Sequence, residues 1–189
     1  MKRYGKGQFG YRNYHKNAEL RKVSAGAVLI LALLFARSLI ADSTWKNILT
    51  ITAVLSVLPV ANWASPLIAA WRYKTMSEEL YKNASSYEGK VRLLYDLIIT
   101  SRDEVLPVDV AAIHSTGVFI YCTAKKVNKK NAEHYFMNMF LHHQLTLEVR
   151  LILDEKTFLN ILSGLRPETD DKDDGSAERA AALLKSLSM

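Results

Sequence analysis

Two nearly uncharged stretches decide the fold: residues 23–36, VSAGAVLILALLFA, and residues 47–71, NILTITAVLSVLPVANWASPLIAAW. From Val23 to Trp71 the only charged residues are Arg37, Asp42 and Lys46. A helix needs about 20 apolar residues to cross the hydrocarbon core of a bilayer. The sequence therefore predicts a two-helix transmembrane hairpin, with helices at about 23–41 and 47–71.

Two other interpretations of these stretches are weaker. A cleaved signal peptide needs small residues before the cut, whereas Leu39-Ile40-Ala41 matches that pattern poorly and a second apolar run follows at once. A buried hairpin inside a soluble core is the other alternative. The 25 uncharged residues of 47–71 disfavour it in so short a chain.

Basic residues flank the hairpin on both sides. Residues 1–22 form a basic arm with seven bases against one acid, Glu19, whereas the loop 42–46 has one lysine. Because Lys and Arg accumulate on the cytoplasmic side of membrane helices, we predict a multi-pass cell-membrane protein with both termini in the cytoplasm. The seven bases are predicted to contact lipid headgroups or another anionic partner: Lys2, Arg3, Lys6, Arg12, Lys16, Arg21 and Lys22.

Aromatic residues alternate with these bases, and this pattern also suits stacking on nucleic acid. They are Tyr4, Phe9, Tyr11 and Tyr14. Lipid is favoured because the arm adjoins a membrane helix, and because residues 72–165 are nearly neutral, with 12 bases and 11 acids. The predicted partners are membrane lipid and either another protein or a second copy of the chain, rather than nucleic acid.

Residues 72–165 are predicted to form a small cytoplasmic mixed α/β domain with the order helix, strand, strand, helix, strand, helix. Residues 72–82 are expected to extend the second membrane helix. A new helix is expected after Ser85 or Ser86, because apolar residues recur at helical spacing. They are Val91, Leu94, Tyr95 and Ile98.

The rest of this domain shows strand and helix patterns in turn. Strands are predicted at 105–114, 118–123 and 145–153, and helices at 131–143 and from Asp154 or Glu155 to Leu162. Pro107 is expected at an edge or a bulge. Residues 166–189 are predicted to be an acidic linker followed by a short amphipathic helix at 177–187, which docks on the domain or on a partner.

The stretch from Tyr87 to Leu153 resembles the restriction-endonuclease-like fold, and within it the nuclease-related domain of some bacterial membrane proteins. The resemblance rests on Glu88-Gly89, on Asp109 at the head of the strand Pro107–Ile113, and on Gly117–Ile120. It implies DNA cleavage that depends on Mg²⁺. Apart from this nuclease alternative, no cofactor is predicted.

Active members of that family carry an Asp on one strand, and a Glu or Gln, one spacer and a Lys on the next. Two carboxylates hold Mg²⁺ at the scissile phosphate, and the lysine positions the attacking water. In this chain the Glu and Lys positions fall on Cys122 and Ala124. The candidate catalytic residues that remain are Glu88, Asp109 and the neighbouring Lys125.

Other reactive side chains lack the spacing of a catalytic or metal site. The three histidines of the 131–143 helix, His134, His142 and His143, have no zinc-ligand spacing, so no metal site is predicted. Cys122 is the single cysteine; it excludes a disulfide scaffold, and its apolar strand predicts a buried, unreactive thiol. The basic loop Lys125–Lys130 is predicted to be solvated.

Three functions remain open. The favoured one is a hairpin that anchors a small cytoplasmic α/β domain for binding, without chemistry, because the catalytic motif is incomplete. The second is a membrane-tethered Mg²⁺-dependent nuclease. The third is an accessory subunit of a larger membrane complex, in which Pro59, Asn62 and Pro66 shape a helix–helix contact.

Overall fold

The chain forms two compact units. The α/β unit comprises residues 1–12 and 73–189, and the hairpin unit comprises residues 13–72. The computed structural model describes residues 4–101, 104–124, 127–167 and 175–189. The basic arm predicted at 1–22 is therefore divided: its first twelve residues belong to the α/β unit rather than to a separate segment.

Two long helices make the hairpin unit, α1 (Tyr11–Leu39) and α2 (Ser43–Ala70). Both are long and apolar enough to span a membrane, and only 6% of the most apolar stretch of each is buried in the protein. Helix α1 begins earlier than predicted, directly after Gly10, whose φ of 87° turns the chain into the helix. Asp42 caps α2 by accepting a hydrogen bond from the Thr44 N–H at 2.7 Å.

Two contacts show that α1 and α2 run antiparallel. An added Cβ at Gly26 would overlap Val60 Cγ2, so a glycine is needed where the helices approach closely. Lys16 Nζ lies 4.2 Å from the centre of the Trp71 ring and donates to the Trp71 carbonyl at 3.4 Å. The start of α1 and the end of α2 therefore meet.

The α/β unit is built on a mixed sheet. Over the described ranges its strands are β1 (Arg92–Thr100), β2 (Val105–His114), β3 (Gly117–Tyr121) and β4 (Val149–Ile152), in that spatial order. Strand β2 is antiparallel to both β1 and β3, and β4 is parallel to β3. The helices are α3 (Glu78–Ser85), α4 (Lys129–His142), α5 (Glu155–Gly164) and α6 (Ser176–Leu187).

Helices cover both faces of the sheet. On one face α4 and α6 bury Phe136, Phe140 and Leu184 against the strands. On the other face α3 and α5 contribute Leu80 and Phe158. The predicted mixed α/β class is confirmed, and the burial of strands on both faces explains their continuous apolar sequences.

The helix predicted after Ser85 or Ser86 is wrong. Ser85 ends α3, and residues 92–100 form strand β1, which pairs with β2. In a strand buried on both faces nearly every residue is apolar, so apolar residues also recur three and four positions apart. Val91 and Tyr95 pack on one face and Leu94 on the other, and this burial on both faces produced the false helical spacing.

The helical extension predicted at 72–82 is also wrong. Helix α2 ends at Ala70, and the chain is not helical again until α3. Ser77 starts α3 because its side chain accepts a hydrogen bond from the Leu80 N–H at 3.3 Å. The strand predicted at 145–153 is shorter, because its pairing with β3 runs only from Val149 to Ile152.

The remaining predicted elements agree with the structure. Strands β2 and β3 and helices α4 and α5 lie where the sequence placed them. Pro107 lies in the part of β2 that pairs with β1 alone, since β3 pairs only from Val110 onward. The C-terminal helix α6 docks on the sheet, whereas residues 168–174 of the acidic linker lie outside the described residues.

The docking of α6 makes a testable contribution to stability. Leu184 is fully buried, so Leu184→Ala should destabilise the α/β unit by about 2–5 kcal/mol, through lost apolar burial and the cavity left behind. Thermal unfolding of the full chain in mild detergent, followed by circular dichroism, measures this loss. Ala182→Ser, on the exposed side of the same helix, should leave the midpoint unchanged. If the original chain, Leu184→Ala and Ala182→Ser all had the same unfolding temperature, α6 would not be part of the core.

Candidate functional site

Both ends of the chain lie along the outer edge of β1. The Tyr95 N–H donates to the Gly7 carbonyl at 2.9 Å, and the Met189 N–H donates to the Ile98 carbonyl at 3.0 Å. The two ends also touch each other, because Lys6 Nζ donates to the Ser188 carbonyl. This arrangement protects an edge strand that would otherwise offer unpaired backbone groups.

A cavity of about 800 Å³ opens where these segments meet. We call it the β1 groove. It is lined by Tyr4, Lys6–Phe9, Tyr81, Glu88–Tyr95 and Lys185. The N-terminal segment, the start of β1 and the end of α6 thus contribute to one concave surface, and its volume is in the range of small-molecule sites.

The charged residues of the β1 groove are mostly basic. Four bases face one acid in the described lining: Lys6, Lys90, Arg92 and Lys185 against Glu88. The single acid is already engaged, because the Tyr95 hydroxyl donates to Glu88 Oε1 at 2.6 Å. Burial, and then this bond to Glu88, raise the pKa of the Tyr95 phenol, which keeps it a proton donor to the carboxylate.

Aromatic rings form one wall of the groove. Phe9 stacks on Tyr81 with ring centres 4.3 Å apart, and Tyr81 meets the edge of Tyr95 at 5.2 Å. The N-terminal segment lies close to β1 and α6 at Gly7. A Cβ there would be 3.0 Å from Leu94 Cδ2 and 3.2 Å from Lys185 Cε, and the φ of 87° also favours glycine.

A buried ion cluster holds the N-terminal segment in place. Arg12 Nη1 donates to Asp109 Oδ1 at 2.5 Å and to the Lys74 carbonyl at 3.0 Å, and Nη2 donates to the Leu97 carbonyl at 2.9 Å. Arg12 Nε lies 3.9 Å from Asp96 Oδ1 and makes no hydrogen bond. The exposed fractions of Arg12, Asp96 and Asp109 are 4%, 0% and 4%, so all three are buried.

The two aspartates lie opposite each other across β1 and β2. Tyr95 pairs with Val110 and Leu97 with Val108, so the register places Asp96 against Asp109. Asp96 has a φ of 55°, a left-handed conformation that Asp tolerates better than most residues. Two buried carboxylates at one cross-strand position would repel each other, and Arg12 is the cation that compensates them.

Each carboxylate has further donors. The Gly10 N–H donates to Asp96 Oδ2 at 2.7 Å and the Met76 N–H to Oδ1 at 3.3 Å. Burial raises the pKa of the Asp96 carboxyl, while Arg12 and these N–H groups oppose that rise. Asp109 Oδ2 accepts from the Thr123 N–H at 2.7 Å. The cluster thus joins the N-terminal segment to strand β1, to strand β2 and to the segment before α3.

The predicted lipid contact of Arg12 is wrong. Arg12 is enclosed by carboxylates and carbonyls, because it belongs to the α/β unit and is buried there. Of the other bases of the arm, Lys6 lines the groove, Lys22 pairs with Glu19 at 2.7 Å, and Arg21 is exposed. Lys2 and Arg3 lie outside the described residues.

The candidate catalytic residues have different surroundings. Glu88 is exposed in the groove and accepts from Tyr95, whereas Asp109 is buried and accepts from Arg12 and Thr123. Lys125 is outside the described residues. Within the described chain, no group of three or more His, Cys, Asp or Glu side chains can hold a metal ion. The nuclease site therefore stays a prediction from the sequence.

Several residues of the groove were missed by the sequence reasoning. Lys90, Arg92 and Lys185 come from separate segments, and no motif relates them. Tyr81 and Tyr95 were assigned to predicted helices and not to a binding site. Asp96 did carry a signal, because a lone acid inside the apolar run 93–99 must have a buried partner in the fold.

The ion cluster predicts a large effect for Asp109→Asn. Removing this carboxylate leaves the buried guanidinium undercompensated, and the loss should be about 3–5 kcal/mol. Urea unfolding of the full chain in mild detergent measures it. The double variant Arg12→Met, Asp109→Leu should not recover the loss, because it leaves the Asp96 carboxylate buried without its cation.

Glu148→Gln is the matched control for this experiment. Glu148 pairs with Arg150 at 3.1 Å, but both side chains are more than half exposed, so the unfolding midpoint should not change. An Asp109→Asn protein as stable as the original would contradict a structural role for Asp109.

Cys122 should be chemically inert in the folded protein. Burial raises the pKa of its thiol to about 11, so almost none of it is thiolate at neutral pH. We expect a maleimide reagent to label the unfolded chain rapidly and the native chain very slowly at about pH 8. Mass spectrometry of the labelled protein gives the two rates. Equal rates would contradict a buried, unreactive thiol.

Comparisons with known proteins give no family for the chain. No family model, no curated protein and no solved structure matches it. The resemblance to the nuclease-related domain rests on the residues of this sequence alone. The function of the protein therefore has to be inferred from the hairpin and from the β1 groove.

Proposed function

We propose that the hairpin anchors the α/β unit to a membrane, and that this unit serves as a binding module through the β1 groove. The observation that carries the proposal is the combination of an apolar, largely unburied helix pair with a separate, well-packed unit. Large apolar side chains of α1 and α2 are exposed, among them Phe35 at 67% and Leu58 at 70%. Such a surface is costly in water and stable in lipid.

The polar groups of the hairpin also suit a bilayer. Hydroxyl groups bond within their own helix: Ser24 donates to the Leu20 carbonyl at 2.8 Å, and Thr52 to the Ile48 carbonyl at 2.9 Å. Ser56 donates to the Thr52 carbonyl at 2.8 Å. Hydrogen bonds of this kind remove the need for water, which the hydrocarbon core lacks.

The chain connectivity supports a topology with both termini on one side. Residues 1–12 and 73–189 belong to the same compact unit, although the hairpin separates them in the sequence. The α/β unit lies on one side of the membrane, and the chain leaves it and returns through an antiparallel helix pair. The bases that flank the hairpin favour the cytoplasm as that side.

Binding rather than catalysis is favoured by what lines the groove. Its basic and aromatic residues can hold a ligand, and its single acid is bonded to Tyr95. Asp109, the residue that the nuclease alternative needs, pairs with Arg12. The accessory-subunit alternative agrees with the exposure of Asn62 on α2, since an amide facing lipid gains from a hydrogen bond to another helix.

Single cysteines test the anchor and its topology in whole cells. In a Cys122→Ala background, Ala41→Cys marks the loop between the helices, Gly5→Cys the N-terminal segment and Lys156→Cys the α/β unit. A membrane-impermeant maleimide should label the loop variant in intact cells and the other two only after permeabilisation. The protein should also stay in the membrane pellet after alkaline carbonate extraction.

Two results would contradict this proposal. Release of the chain into the carbonate supernatant would exclude an integral anchor. External labelling of Gly5→Cys or of Lys156→Cys would exclude a topology with both termini in the cytoplasm. Labelling of all three after permeabilisation is the control that each cysteine is reactive.

A further inference from the structure

We infer that the β1 groove binds an organic phosphate, that is, a phosphate group carried by a small molecule or by a lipid headgroup. This inference rests on the proposed role of the α/β unit as a binding module. It depends on the concentration of charge in the groove, on the way the bases are held, and on the apolar wall beside them.

The positive charge of the α/β unit is concentrated in the groove. Residues 1–12 and 73–189 contain 19 basic and 17 acidic residues. The described lining holds four of these bases and one of these acids. The rest of the unit therefore has 15 bases and 16 acids, a slight negative excess. A compact anion is attracted to such a surface, whereas a long polyanion would meet acidic surroundings.

The fold holds the bases at the groove from different directions. Lys6 bonds to the Ser188 carbonyl, and Lys185 packs against Gly7. Lys90 lies in the turn before β1, with Nζ 5.6 Å from the Tyr87 ring centre. Arg92 makes a long, exposed ion pair with Glu178 at 4.0 Å. Phosphate is the anion that suits several cations at once, because it carries almost two charges and three acceptor oxygens.

The groove also has a place for the organic part of such a ligand. The stacked pair of Phe9 and Tyr81 lines the groove, and Leu93 adds aliphatic surface. Next to the bases, Gly89 has open space where a side chain would be, so a ligand can approach the backbone there. A bare inorganic anion would leave this apolar wall unused.

Pyrophosphate binding to the full chain tests whether the basic residues of the groove hold phosphate. The protein is held in phosphatidylcholine nanodiscs at low salt, and pyrophosphate is titrated by calorimetry, with acetate as the control anion. We expect saturable binding of pyrophosphate and none of acetate. Lys90→Glu with Lys185→Glu should weaken binding at least about tenfold, because two cations become acids. Lys130→Glu with Lys156→Glu, at exposed lysines elsewhere, should leave the affinity unchanged.

A competition experiment distinguishes a phosphate on a lipid headgroup from a phosphate on a soluble molecule. If phosphatidic acid in the nanodisc competes with pyrophosphate, a lipid headgroup reaches the groove. If it does not compete, the phosphate is a soluble one; both results support the inference. The inference would be overturned if pyrophosphate showed no saturable binding, or if the groove variant and the control variant lost the same amount of affinity. Tighter binding of a single-stranded oligonucleotide that the groove variant abolishes would also overturn it.

Two checks keep the experiment decisive. Lys90→Gln with Lys185→Gln repeats the test if the glutamate variant unfolds, and it should weaken binding in the same direction. The cysteine labelling and carbonate extraction above do not depend on the ligand. If they succeed while pyrophosphate fails to bind, the anchor stands and only the inferred ligand is wrong.

Discussion

The α/β unit depends on one buried cation placed between two carboxylates. Asp96 and Asp109 lie opposite each other on neighbouring strands and are both buried. Without Arg12 their charges would be uncompensated in a place that water does not reach. Arg12 also donates to the carbonyls of Leu97 and Lys74. One side chain therefore holds together the N-terminal segment, both strands and the segment that follows the hairpin.

The β1 groove is a consequence of this constraint. Its N-terminal wall, residues 4–9, is joined to Arg12 by two residues, and the Gly10 N–H donates to Asp96. The opposite wall comes from α6, which is held by its buried face and by the Met189 N–H. Both ends of the chain are thus needed to form the concave surface. This basic, aromatic-lined surface is the one that we propose recognises a phosphate ligand.

The sequence predicted the hairpin, the α/β class and most helices, because each depends on local apolar spacing and on local caps. Strand β1 was missed since helices cover both faces of the sheet, and a doubly buried strand has the same apolar spacings as a helix. Arg12 was assigned to lipid because the arm around it in the sequence is basic, whereas the two carboxylates that it faces are more than 80 residues away. Of the groove, only Lys6 was among the predicted binding residues.

The sequence by itself determined that two long apolar helices, flanked by bases, precede a small α/β fold. Composition and periodicity suffice for that conclusion, since a helix with no charged residue over 25 positions has few stable surroundings other than lipid. Only the tertiary structure decided which charges are buried in pairs and which line the groove. Nothing in the sequence shows that Lys6, Lys90 and Lys185 share one site. They form one surface only because the two chain ends meet at the edge of β1.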